Sequence, residues 1–293
     1  MYIEVALIAY VLDVLFGEFG FIRHPVIVMG DYISWFEKHF YADDRYRGAW
    51  LFVSSVVIFG SLAFILSLFL PMFLQGIVAS MFLAHRMLHD SVKAVLTDPK
   101  PKKALSYLVS RDTQNLSKSD INKSLIETYA ENLSDGVIAP LLYLLFFGLV
   151  GIVIYKTINT LDSMVGYKTH KYKHFGYVSA KADDVANFIP ARLSALLIML
   201  LGKCYCFKRM RTFAKGHASP NAGYPISAMA VVKRVSLGGP TSYHGEMVNK
   251  PYFGDGRKQI GVSDVRDVLD MAYKVDVVVI FILFAQLISL NNV

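Results

Sequence analysis

Between Ala49 and Ala84 the chain contains no Asp, Glu, Lys, Arg or His. A helix crossing the hydrocarbon core of a bilayer needs about 20 consecutive apolar residues. The run therefore holds one complete span, Trp50–Leu70, and most of a second, Met72–Leu88. Pro71 divides them, because proline removes a helix donor and clashes with the preceding turn. Gly136–Tyr155 is a further uncharged stretch. Phe188–Gly202 is shorter and carries Pro190 and Arg192, and Met271–Leu290 carries Lys274 and Asp276 in its first turns. Only 18% of the 293 residues are charged, against about 25% in soluble domains. A net charge of +7 spread over such a background excludes a disordered tail or a basic nucleic-acid arm. Cys204 and Cys206 are too few for a disulfide framework and lack zinc spacing. The expected fold is all-α: a single polytopic membrane domain over residues 1–293, with about four to six embedded helices.

Tyr2–Phe16 is apolar but contains Glu4 and Asp13 and has no basic n-region. It reads as a short intramembrane or interfacial helix and not as a cleavable signal. Three connecting segments, Arg86–Lys123, Lys156–Lys181 and Lys203–Lys274, are all basic, as cytoplasmic loops tend to be. Simple alternation would put the middle one outside. A hairpin within Gly136–Tyr155, turning at Gly148 or Gly151, would return it to the inside. Eight of the twenty glycines and four of the ten prolines fall in Gly216–Gly261, which reads as the centre of a polar loop system spanning about residues 203–270.

On INKSLIETYAENLSDG, Ile121, Leu125, Tyr129 and Leu133 recur every four residues and form one helical ridge. Glu127, Glu131 and Asp135 recur with the same period on the opposite face. Like charges at that spacing repel, so the ridge is either a solvated face or a site for Mg²⁺ or a basic ligand. On YKTINTLDSMVG, Asn159 and Asp162 share a polar stripe that leads out of a membrane segment, where an Asp tends to face a partner or a wet cavity. Asp183 and Asp184 precede Phe188, with Arg192 a full turn inside the apolar stretch. Their ordinary readings are an acidic helix start and a snorkelling arginine. His85 and His89 have the spacing of a zinc helix, but Arg86 stands where the zincin motif needs Glu, and no P-loop is present. His89, followed by Asp90, is left as a phosphate or substrate contact or a polar helix end.

Several ordered segments resemble the adenosylcobinamide-phosphate synthase family of cobalamin biosynthesis, the CobD/CbiB type. They are RHPV from Arg23, YLVSRDT from Tyr107, ETYAENLSDGVIAPLLY from Glu127, YKTINTLDSMVGYK from Tyr155 and FGYVSAKADDVANFIPARL from Phe175. HASPNAGYPISAMA from His217 and LGGPTSYHGE from Leu237 complete the set. The resemblance implies a ligase, dependent on ATP and Mg²⁺, in the cell membrane. It would join a propionate carboxylate of adenosylcobyric acid to the amine of (R)-1-amino-2-propanol O-phosphate. It also implies roles. Glu127, Glu131 and Asp162 are the catalytic candidates. With Asp135, Asp183 and Asp184 they are also the metal candidates, since carboxylates and waters are the usual Mg²⁺ ligands. Arg111, Lys168 and Arg192 are candidates for phosphate contacts, with His89, Asn159, His217 and Asn221 as further substrate contacts. The expected partners are the two substrates, the lipid bilayer and, optionally, a second copy of the chain, with no nucleic acid. The rival class is a membrane transporter, because buried charges and broken helices also mark carriers.

Overall fold

The structure, a computed structural model, describes residues 1–20, 23–243 and 245–291. His244 of the LGGPTSYHGE segment lies outside the described residues. In chain order the helices begin with α1 (Ile3–Phe16), α2 (Pro25–Phe40), α3 (Arg45–Phe69), α4 (Met72–Ser80), α5 (His85–Thr97), α6 (Pro101–Ser106) and α7 (Lys118–Leu133). A π turn, Ser134–Ile138, precedes α8 (Ala139–Val165), followed by α9 (Tyr177–Ala186), α10 (Phe188–Leu201), α11 (Phe207–Ala214) and α12 (Gly223–Lys233). Four short strands come next: β1 (Leu237–Gly238), β2 (Thr241–Tyr243), β3 (Glu246–Val248) and β4 (Tyr252–Phe253). The chain closes with α13 (Val262–Asn291). β2 and β3 form an antiparallel ribbon set between the paired strands β1 and β4.

The chain is a polytopic membrane protein: among the described residues three helices are long and apolar enough to cross a bilayer, or four if α9 and α10 form one broken span. On α3, Gly48, Leu51, Ser55, Phe59, Gly60 and Ala63 are buried, while Trp50, Val57, Leu68 and Phe69 are exposed. So contiguous an apolar flank is an interaction surface in water, and in lipid it is simply solvated. Asp44 caps the helix start by accepting from Arg47 N–H at 2.7 Å, an arrangement that stabilises a helix by about 1 kcal/mol.

The chain divides into two compact units. The first comprises Met1–Arg86, Gly136–Asn187 and Ile280–Val293. Within it, α8 is not a rod. Gly148 has φ 65° and ψ −155°, and the chain folds back there. The rings of Tyr143 and Tyr155 stack with centroids 4.9 Å apart, although twelve residues of straight helix would separate them by about 18 Å. A side chain at Gly148 would meet the Tyr2 ring at 2.9 Å, so both the backbone angle and the space demand glycine. This is the hairpin anticipated in Gly136–Tyr155. The expected second span, Met72–Leu88, is not one helix. α4 stops at Ser80 and α5 starts at His85, because the buried Asp13 carboxylate accepts from His85 N–H at 2.9 Å and favours a new helix N-terminus there.

The second unit comprises Met87–Asp135 and Phe188–Val279. The polar loop expected over about 203–270 is here largely built structure. α12 is buried along Ile226, Ala228, Met229 and Ala230 and packs against α7, α10 and α11. Gly223 and Pro225 mark its first turn, where proline is tolerated, and do not mark a loop.

Candidate functional site in the second unit

α7 is fixed at its start by a capping box, in which Ser117 accepts from Asp120 N–H and Asp120 from Ser117 N–H. Ile121, Leu125, Tyr129 and Leu133 are buried as one ridge. The opposite ridge is not a solvated face, for Glu127 is only 5% exposed. Its Oε2 accepts from Arg111 Nη2 at 2.6 Å, and its Oε1 accepts from Gly238 N–H at 2.5 Å. Arg111 Nη1 also donates to Ser124 Oγ at 3.2 Å. The carboxylate ridge thus finds its cation in the loop that precedes α7. Gly238 has φ 71°, and a Cβ there would lie 2.4 Å from Pro251 O, so only glycine turns its N–H onto Glu127.

The next residue, Asp112, holds the β2–β3 ribbon. Its backbone N–H donates to Ser242 O at 2.9 Å. Its Oδ2 accepts from Ser242 Oγ at 2.5 Å and from Gly245 N–H at 2.8 Å. The ribbon carries Tyr243, whose hydroxyl accepts from Lys250 Nζ; the ammonium sits 4.4 Å from the centre of the same ring. His217 packs on Phe253 at 5.2 Å between ring centres. Arg111, Glu127, Glu131, His217, Tyr243 and Lys250 line one polar cavity of about 290 Å³. A second cavity of about 700 Å³, bounded by Asp112, Asp120 and Lys123, shares Arg111 and Thr241 with it.

Burial works against the charge on Arg111, but the Glu127 carboxylate more than offsets this by charge and hydrogen bond, and the guanidinium is held above its ordinary value. Glu131 acts on it in the same direction. Burial, with Lys250 pushing the same way, lowers the His217 imidazole below its usual 6.5. Ser219 N–H donates to His217 Nδ1 at 3.0 Å. Ser219 O lies 3.3 Å from the same nitrogen, so either tautomer of the neutral ring finds a partner there.

Of the residues singled out from the sequence, Arg111, Glu127, Glu131 and His217 meet in this cavity. Arg192 and Asn221 meet elsewhere in the same unit. Arg192 Nη1 donates to Asn221 Oδ1 at 3.2 Å and to Phe188 O at 2.6 Å. Its guanidinium lies over Phe188 and Tyr224, at 3.6 and 4.2 Å from the ring centres. Aromatic faces stabilise a cation in an apolar stretch, which explains its position inside α10. His89 Nδ1 is 3.1 Å from Asp90 Oδ1, and its ring is 5.2 Å from that of Tyr273. Asp135 is half-buried at the end of this unit's α7 segment. Asn159, Asp162, Lys168, Asp183 and Asp184 belong to the first unit. There Asn159 Nδ2 donates to Asp183 Oδ1 at 3.4 Å and Lys181 pairs with Asp184 at 3.0 Å. Asp162 is half-buried on α8 and Lys168 is exposed. Among the described residues, no three His, Cys, Asp or Glu side chains gather as ligands of one metal ion. Sequence reasoning missed Lys250, which stands in none of the motifs, and gave no role to Tyr243 although LGGPTSYHGE contains it; their mutual hydrogen bond and the shared cavity bring both to Arg111.

A family model described as CobD/Cbib protein matches residues 6–272. The "Cobalamin biosynthesis protein CobD" of Geobacter metallireducens is 38% identical over 291 residues, covering 92% of each chain. That of Clostridium acetobutylicum is 35% identical over 307 residues, covering 94% of this chain and 95% of the relative. The "Probable cobalamin biosynthesis protein CobD" of Pyrococcus furiosus is 41% identical over 250 residues, 80% of this chain and 85% of the relative. No solved structure matches.

Proposed function

The chain belongs to the CobD/CbiB family of cobalamin biosynthesis proteins, and from that membership we propose that it is an ATP-dependent amide ligase of the cell membrane. It joins the propionate carboxylate of adenosylcobyric acid to (R)-1-amino-2-propanol O-phosphate, giving adenosylcobinamide phosphate. The observation that carries this reading is the buried Arg111–Glu127 pair in the wall of a polar cavity that also presents Lys250 and His217. A carboxylate is a poor acyl donor and needs activation. Its oxygen attacks the γ-phosphorus of ATP, the bond to ADP breaks and an acyl phosphate forms. The ammonium gives one proton to solvent and the free amine attacks the acyl carbon; the C–N bond forms, the C–O bond breaks, and the nitrogen's second proton goes with the departing phosphate. Phosphoryl transfer asks little covalent chemistry of a protein and much positioning and charge stabilisation. Arg111 and Lys250 are donors suited to phosphate oxygens, and the His217 imidazole stands in the same wall.

Bound magnesium, which usually takes one or two carboxylates together with waters and substrate phosphates, would neutralise the phosphates of ATP. Glu127 does not fit as its ligand, because both its oxygens already accept from Arg111 and Gly238. Asp184 is paired with Lys181. With no three metal-ligating side chains gathered on one ion among the described residues, the fit is to a magnesium carried in on the nucleotide and taking one or two carboxylates at most.

The test is mass spectrometry of the corrinoid product from purified protein given ATP, adenosylcobyric acid and the amine phosphate. Amide with equal ADP and phosphate is expected. AMP and pyrophosphate would replace the acyl phosphate by an adenylate. Absence of amide would overturn the ligase reading in favour of a carrier, whose broken helices the fold-back at Gly148 resembles.

A further inference from the structure

The cavity around Arg111 is small and of mixed charge. At about 290 Å³ it sits at the lower edge of the ~300–1,000 Å³ typical of small-molecule sites. That volume suits an aminoalkyl phosphate and excludes a corrin macrocycle. Its charges fall into two pairs. Glu127 and Arg111 satisfy each other, with Gly238 N–H and Ser124 completing their bonds. Beyond that pair the same wall offers a second carboxylate, Glu131, one helical turn or about 6 Å along α7, and a second cation, Lys250. Lys250 donates to a neutral phenol, that of Tyr243. His217, close enough to feel the Lys250 charge, adds an imidazole to the same wall.

We infer that this cavity is the subsite for the amine substrate, taking it as a zwitterion with the phosphate on Lys250 and His217 and the ammonium on Glu131. The assignment rests on the ligase reading and refines it: Glu131 serves the nucleophile and not the metal, and Lys250 is a specificity residue. A phosphate alone leaves Glu131 facing an anion, and an amine alone leaves Lys250 facing a cation, so the site favours the molecule that carries both groups. The larger adjoining cavity, of about 700 Å³, shares Arg111 and Thr241 with it.

The test is calorimetric titration of the full chain in detergent, without ATP or corrinoid, so that no turnover is needed. O-Phosphoethanolamine should bind about tenfold or more tightly than inorganic phosphate or ethylamine, as expected for one lost charge-assisted contact. Glu131→Gln and Lys250→Met should each weaken O-phosphoethanolamine about tenfold, while Lys250→Arg retains most of the affinity. In turnover, Lys250→Met should raise KM for the amine phosphate and leave that for the corrinoid unchanged. Equal binding of inorganic phosphate and O-phosphoethanolamine, or unchanged binding in Lys250→Met, overturns the assignment. If Lys250→Met does not fold, the comparison of the three ligands on the unaltered protein decides. Failure of the unaltered protein to make amide would sink the ligase reading by itself, whereas amide synthesis with an insensitive Lys250 would sink only this subsite.

Discussion

Glu127 is the residue on which the second unit's polar cavity depends. It is buried, and both its oxygens are used. Glu127→Ala strands the Arg111 guanidinium in a low-dielectric wall, and breaking a buried pair from one side costs about 3–5 kcal/mol. A large drop in the thermal midpoint in detergent, with loss of activity, is the expected outcome. Arg111→Lys should restore little of either, since an ammonium cannot reproduce the forked contacts to Glu127 and Ser124. His217 gives a signed dependence on pH. Its folded value lies below the ordinary 6.5 because of burial, so protonation favours the unfolded chain. The stability it contributes is complete above about pH 6.5 and is lost as pH falls through the depressed value. Thermal midpoints of His217→Asn should therefore decline less than those of the unaltered chain on the acid side. At this scale the sequence was half legible. The four-residue spacing of Glu127 and Glu131 pointed to a cation, and Arg111 stood in a recognisable motif. That the cation was Arg111 itself could not be read, because the Gly238 N–H that completes the pair comes from a turn more than a hundred residues away.

Among the elements, the ribbon β2–β3 and the folded helix α8 set the local geometry. Asp112→Ala removes the acceptor of Ser242 and Gly245. It should lower kcat/KM about tenfold, the scale of one or two lost hydrogen bonds, while far-ultraviolet circular dichroism stays unchanged. Gly148→Val meets both a left-handed backbone angle and the Tyr2 ring. Strain of about 1–3 kcal/mol, before any clash is relieved, should show as a lowered thermal midpoint and poor expression. Pro71 was a legible helix break and the glycines of Gly136–Tyr155 a legible turn. The break at Ser80 was not, since hydropathy runs on through Phe82 and Leu83 and only the distant Asp13 gives the next helix its start. α12 escaped notice for the opposite reason: glycine and proline in its first turn look like loop to any count of composition.

For the molecule as a whole, the uncharged run after Arg47 decides the solvent. α3 and the apolar part of α13 keep most of their surface outside the packed protein, and lipid is the medium in which such surface is stable. The chain should therefore remain with the membrane fraction after alkaline carbonate washing and require detergent for extraction; release by carbonate would contradict the assignment of its spans. This scale was the most legible of the three, because a bilayer imposes length and polarity on a segment independently of its tertiary partners. The division into two units, each assembled from separated stretches of chain, had no counterpart in composition.

Arg111 holds α7 through Glu127, and Asp112 holds the ribbon through Ser242 and Gly245. One peptide bond is thus all that lies between two anchors pulling on different parts of the fold. Adding a single residue at that junction would delete no charge and no donor, yet one anchor would lose its grip whenever the other closed. The spacing of these two neighbours is consequently as much a part of the machinery as their chemistry.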